Sequence, residues 1–177
     1  DLNKEIVLEE GVQATLEGSV LKVKGPKGEV ERNFLHPKIV VEIKDNKILF
    51  HVKKATKKEK KEISSFSSHT KNMVEGVVEP HIYKLKICSG HFPMNVAVSG
   101  RELVIKNFLG ESVPRKVLLP EGVDVKINGT EIMVSSPNKE SSGHAAAKIE
   151  NLCRITNRDR RIFQDGVYII HKAGKDI

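Results

Sequence analysis

At 177 residues the chain lies between one large domain and two small ones, and its 38% hydrophobic content supports a core that, with 5% aromatics and no Trp, must rest on Val, Ile and Leu. A formal charge of +7 favours a polyanionic partner, nucleic acid first, over a neutral one, the plainer alternative being that the charge only aids solubility. No apolar run reaches the roughly 18 residues of a membrane span, the start has no signal-like apolar segment, and Cys88 and Cys153 stand too far apart for a zinc knuckle or a disulfide framework, so a soluble, intracellular protein with two reduced, buried thiols is expected.

Taken in chain order, Val12, Ala14 and Leu16, then Leu21 and Val23, then Val30, Arg32 and Phe34, then Ile39, Val41 and Ile43, then Ile48, Phe50 and Val52 alternate with polar neighbours. A period of two marks strands with one buried face. The breaks at Glu17-Gly18, Gly25-Pro26-Lys27-Gly28 and Lys44-Asp45-Asn46 have turn chemistry, so an antiparallel, meander-like sheet is predicted. The period then changes. Thr56 and Glu59 form a capping-box pattern, and Ile63, Phe66, Thr70, Met73 and Val77 recur at helical spacing until Gly76 and Pro80 end the segment.

Tyr83, Leu85 and Ile87 open a second series of strands, followed by Met94, Val96 and Val98, by Leu103 and Ile105, by Val117 and Leu119, by Val123, Val125 and Ile127, and by Ile132 and Val134. A shorter helix follows, capped by Ser141 or Ser142, with Ala145, Ile149 and Leu152 as its buried stripe. The two series match. Gly18, Leu21, Val23, Lys24, Gly28 and Glu29 correspond to Gly100, Leu103, Ile105, Lys106, Gly110 and Glu111 at constant offset; one insertion later Val30, Arg32, Leu35 and Pro37 correspond to Val113, Arg115, Leu118 and Pro120; one more, and Ile39, Val41, Ile43 and Ile48 correspond to Val123, Val125, Ile127 and Ile132. Order, spacing and apolar phase kept together imply a tandem duplication. The expected fold is α+β: two duplicated domains, residues 1–80 and 81–177, each a small antiparallel sheet covered by one helix.

Among candidate sites, the run Lys53 to Lys61 holds Lys53, Lys54, Lys57, Lys58, Lys60 and Lys61 with one acid, Glu59. Either these lysines contact RNA phosphates or they are the solvated start of the helix, where they oppose the macrodipole. Gly25-Pro26-Lys27-Gly28 could offer Lys27 to a phosphate, but it lacks P-loop spacing and reads better as a hairpin turn. The Ser-x-x-Lys matches at Ser68 and Ser136 lack the companion motifs of penicillin-interacting enzymes. Asn128-Gly129 is a turn rather than a glycosylation site. Seven scattered histidines give no metal site, and no catalytic arrangement, cofactor loop or small-molecule substrate site stands out.

The most informative stretch is Asn151 to Tyr168, where Arg154, Arg158, Arg160 and Arg161 fall within eight residues, three of them beyond the predicted helix. Planar guanidinium forks suit phosphate and base recognition better than lysine, although an arginine-rich loop could also simply solvate a sheet edge. Asp165-Gly166 then turns into a strand from Val167 to Ile170.

Arg158, Arg161, Phe163, Asp165, Gly166, Tyr168 and Lys172 resemble, in order and spacing, the carboxy-terminal signature of the ribosomal protein L-six family in its archaeal and eukaryotic branch. The stretches Val23 to Gly28, Asn72 to Val77, His91-Phe92-Pro93 and Val104 to Gly110 extend the likeness over nearly the whole chain, with Asn151 departing from the Gln that usually begins the signature. The resemblance implies a non-catalytic constituent of the cytoplasmic large ribosomal subunit. It would bind large-subunit ribosomal RNA near the base of the sarcin-ricin loop and the factor-binding region, beside neighbouring ribosomal proteins and with no membrane. The carboxy-terminal domain, with Lys172, would make much of that contact. Two other classes stand beside this one: an RNA-modifying enzyme, for which no acid-base pair is visible, and an extraribosomal binder that uses its sheet edges.

Overall fold

The computed structural model describes all 177 residues, and the chain divides into two compact units, Asp1–Pro80 and His81–Ile177. The first unit runs β1 (Leu2–Val7), β2 (Gln13–Glu17), β3 (Val20–Gly25), β4 (Gly28–Asn33), β5 (Ile39–Lys44), β6 (Lys47–Val52) and α1 (Lys57–Val78). Alternation buries Leu21, Val23, Val30, Ile48, Phe50 and Val52, on which α1 lays Ile63, Met73, Val74 and Val77. Asp45 and Asn46 both take positive φ, the backbone that a two-residue hairpin needs between β5 and β6.

Each expected single sheet is in fact a pair of sheets. In the first unit, β2-β3-β4 form one meander and β1-β6-β5 another. The link from Leu35 to Lys38, which contains Pro37 with no amide proton, carries the chain from β4 to the second sheet rather than back along the first. Strand β1 escapes the periodicity argument because Lys4 stands opposite Phe50 at a half-buried position while Val7 is 60% exposed. Helix α1 does not stop at Gly76, which is buried within it; it ends where Glu79 turns extended ahead of Pro80.

The second unit repeats the plan with β7 (His81–Cys88), β8 (Asn95–Ser99), β9 (Glu102–Lys106), β10 (Arg115–Leu118), β11 (Asp124–Asn128), β12 (Glu131–Ser136) and α2 (Lys139–Leu152). The orders β8-β9-β10 and β7-β12-β11 reproduce β2-β3-β4 and β1-β6-β5, so the α+β duplication holds strand by strand. It then adds β13 (Gly166–Lys172) on the free side of β7, and β14 (Lys175–Asp176) beyond it. Its own core gathers Leu85, Leu103, Ile105, Ile132 and Val134 against Ala145, Ala146 and Ile149 of α2.

Backbone pairing corrects one stretch of the repeat. Leu21 faces Arg32, but Leu103 faces Val117 rather than Arg115, so the match of Val30, Arg32, Leu35 and Pro37 to Val113, Arg115, Leu118 and Pro120 is displaced. The equivalent of Phe34 is Leu119, since Phe34 N–H donates to Ser19 O at 2.8 Å and Leu119 N–H to Arg101 O at 2.8 Å, and both side chains are buried. Val30 is a core residue, whereas Val113 is 75% exposed in the loop between β9 and β10. That loop replaces the tight Gly25–Gly28 turn and contains a 3-10 turn at Phe108–Gly110 whose Phe108 is buried.

The cap of α2 is Asn138, not Ser141 or Ser142: its Oδ1 accepts from Glu140 N–H at 2.9 Å, while Ser142 is buried inside the helix and donates to Lys139 O. Asn accepts at an N-cap at least as well as Ser, and Pro137 just before it favours the turn into the helix. Both thiols are free, but only Cys153 is buried; Cys88 is half-buried. Neither helix is long and apolar enough to cross a membrane.

Candidate nucleic-acid interface

Helix α2 stops at Leu152, so Arg154 as well as Arg158, Arg160 and Arg161 lies outside it, one more arginine than the helical pattern suggested, and all four are exposed. The loop that carries them is tied at its start by Arg115, which sequence reasoning treated only as a repeat match. Arg115 Nη1 donates to Leu152 O at 2.7 Å and to Arg154 O at 3.4 Å, while Nε and Nη2 donate to the Glu111 carboxylate at 2.8 and 2.6 Å. Its guanidinium carbon also stands 4.4 Å from the centre of the Phe108 ring. The last turn of α2 has no basic side chain of its own, so a guanidinium from β10 meets the orphaned carbonyls. Arg115 holds Glu111 below the usual carboxylate range by that hydrogen bond, and burial pushes the nearby Cys153 thiol up to about 11, which keeps it neutral and inert.

Further along, the Asp159 carboxylate accepts from the backbone and side-chain N–H groups of Arg161, and Asp159 O accepts from Ile162 and Phe163 N–H at 3.1 and 2.9 Å. These bonds close a local turn. Arg158 is stacked 5.0 Å from the centre of Phe163. At the loop's end Tyr168 Oη donates to Gln164 O at 3.1 Å, with Asp165 O at 3.4 Å. The loop is therefore positioned from both ends while its cations stay in solvent, which limits the conformational entropy lost on binding a polyanion. Lys172 is exposed at the end of β13, opposite Tyr83 and Lys175.

In the first unit all six lysines at positions 53, 54, 57, 58, 60 and 61 are exposed. Glu59 does not neutralise them. It is buried and accepts from Thr56 N–H at 2.9 Å, from the Thr56 hydroxyl and from Lys38 Nζ at 3.0 Å, and these bonds, the Thr56 hydroxyl first, hold its carboxyl at about 2. Lys27 is exposed at the tip of the β3–β4 turn, but its backbone N–H donates to Val77 O at 2.9 Å and so faces the end of α1 rather than a ligand. Lys27 sits by Val77 near the end of α1 and the lysine run ends at Lys61 near its start, roughly 24 Å of helix away, so the structure does not bring them together.

The family described as Ribosomal protein L6 matches residues 9–79 and 92–166, one stretch in each unit. The chain belongs to that family. The large ribosomal subunit protein uL6 of Nanoarchaeum equitans is 47% identical over 181 aligned positions, covering 98% of this chain and 94% of the relative. The protein of the same name from Methanosarcina mazei is 43% identical, with 98% of each chain covered. These similarities place the chain in the archaeal and eukaryotic branch of the L6 family, whose members are structural ribosomal proteins and not enzymes. The L6 match takes in both the lysine run and the arginine loop and stops at Gly166, so Lys172 lies beyond it.

Proposed function

We propose that this chain is a structural constituent of the cytoplasmic large ribosomal subunit that binds large-subunit ribosomal RNA, near the sarcin-ricin loop and the factor-binding region, alongside neighbouring ribosomal proteins. Its L6-type domains are residues 1–80 and residues 81–177, the second ending in a basic extension. The observation that carries the RNA reading is the loop with four exposed arginines pinned at one end by Arg115 and at the other by Tyr168. Arg154, Arg158, Arg160 and Arg161 are the main contacts; the first three can fork two N–H groups onto a phosphate, and Arg161, whose Nε and Nη2 are on Asp159, adds its Nη1. Lys172, Lys27 and the lysines at 53, 54, 57, 58, 60 and 61 add looser backbone contact.

The test is co-sedimentation with large subunits through a gradient, followed by chemical footprinting of the sarcin-ricin stem with and without the protein. Co-migration with protection of that stem is expected; a protein that stays at the top of the gradient contradicts the reading. If about five phosphates are neutralised, binding to the isolated ribosomal RNA falls with salt at a log-log slope on the order of −4.

A further inference from the structure

One side chain in the second unit is out of keeping with its surroundings. Asp165 is 8% exposed, and its carboxylate, with no donor from the chain, keeps its contact with solvent through a cleft. A carboxylate so largely covered, and open only toward the cleft, can take its donors from a molecule seated there. The carboxylate borders a cleft of about 790 Å³ whose walls include Lys86, Gly90, Ile162, Gln164 and Tyr168. Gly90 leaves it room: a methyl group there would stand 3.0 Å from Asp165 Oδ1.

The rest of the cleft supplies the other parts of a site for a flat, donor-bearing group. Tyr168 is held flat by its two bonds to Gln164 O and Asp165 O and by packing over Gly166, where a Cβ would meet its Cζ at 3.1 Å, and 40% of it remains exposed. Ile162, 75% exposed, offers a second apolar surface in the same cleft. Lys86 is the cross-strand partner of Tyr168 and stands on the same face, and Tyr168 also borders a second hollow with Arg154 and Arg160. The cleft thus combines an aromatic face, cations for a phosphate and one largely covered carboxylate.

Resting on the RNA-binding reading above, we propose that this cleft takes a single unstacked guanine base of the RNA, with Asp165 accepting from its N1–H and 2-amino N–H and Tyr168 stacking on its face. Unpaired bases of RNA are commonly splayed onto aromatic rings and recognised at the Watson–Crick edge. Of the four bases only guanine presents two adjacent donors on that edge, which a carboxylate meets with both oxygens. Adenine and cytosine each present one donor beside an acceptor that the carboxylate repels.

The test is an NMR titration of the full ¹⁵N-labelled chain with GMP, IMP, AMP and CMP, which share the phosphate and differ in the base. GMP should move the amides of Gly90, Gly166 and Tyr168, with an affinity on the order of tenfold above that of IMP, which lacks the 2-amino group. AMP and CMP should leave those amides in place. Asp165→Asn should fold with an unchanged or higher Tm, since it relieves an unpartnered carboxylate, and lose the GMP preference; Gly90→Ala, which crowds Oδ1, should weaken GMP as well. Equal response to all four nucleotides, no response to any, or an Asp165→Asn variant that fails to fold overturns the guanine site. So does movement of the same amides by N-acetylarginine amide in place of GMP, which would give the cleft to an arginine of a neighbouring protein. Failure of the wild-type chain to bind whole large-subunit ribosomal RNA would instead sink the RNA reading itself, and is measured separately.

Discussion

Val77, at the end of α1, accepts from the backbone N–H of Lys27, whereas Leu152, at the end of α2, accepts from the guanidinium of Arg115. Lys27 lies in the connection between the second and third strands of its meander, and Arg115 opens the third strand just after the equivalent connection. The backbone solution needs contact at close quarters: a Cβ on Gly25 would stand 2.8 Å from Val77 Cγ2 and O. The side-chain solution reaches further and works from a longer loop anchored by buried Phe108. One consequence is length. Helix α1 has 22 residues and α2 has 14, and the chain that α1 uses for its last turns is, in the second unit, free to form the arginine loop and then β13. A duplicated fold keeps its core and diverges where a helix end is satisfied.

If the cores are equivalent, Ile48→Ala and Ile132→Ala, both at fully buried positions matched by topology, should each lose about 2–5 kcal/mol in urea unfolding. A loss in only one of them would break the equivalence. The two helix ends should then separate the units. Gly25→Ala should cost about 1–3 kcal/mol through overlap with Val77. Arg115→Ala should cost a similar amount, about 1.5–3 kcal/mol, for charge-assisted bonds to Leu152 O and Glu111, and should also speed amide hydrogen exchange in the loop from Arg154 onward. Arg115→Lys should recover only part of this, because an ammonium cannot fork onto Glu111 while reaching Leu152 O.

The smallest contrast is in acid. Glu59, drawn down to about 2 from an ordinary 4.5 by Thr56 and Lys38, contributes stability that is complete above pH 4.5 and is lost as pH falls through about 2. At the same position of the other capped helix stands Ser141, which does not titrate. The first unit should therefore lose helix earlier on acidification, and Glu59→Gln should flatten the fall of its unfolding midpoint across that window, as followed by circular dichroism against pH.

Much of this architecture is legible in the residues themselves. The alternations of Leu21 with Val23 and of Ile48 with Phe50, the Thr56–Glu59 box and the repeat of Ile43 and Ile48 in Ile127 and Ile132 each state a local rule that the packing obeys. Features that depend on distant partners are not legible. Strand β1 is defined by β6 and carries an inward Lys4; the split into two sheets depends on where the chain goes after Phe34; the displaced repeat near Arg115 follows from a loop whose length only the pairing reveals. At the candidate interface the same division holds. The arginines are visible as a cluster in sequence, but Arg115 as their anchor and Asp165 as a largely covered carboxylate at a cleft emerge only when residues far apart in the chain meet.

On the proposed function, the second unit's pinned arginines, more than the first unit's exposed lysines, should hold the protein on its RNA. Net charge alone separates the units weakly: residues 81–177 carry fifteen basic and ten acidic side chains, residues 1–80 fifteen and thirteen. The decisive measurement compares incorporation into large subunits of the triple variant Arg158→Ala, Arg160→Ala, Arg161→Ala with that of Lys57→Ala, Lys58→Ala, Lys60→Ala, each first shown by circular dichroism to be folded because Arg also packs through its stem. The arginine variant should be retained several-fold less than the lysine variant. Full retention of the arginine variant, with loss confined to the lysine variant, would contradict the account and move the main RNA surface to the first unit.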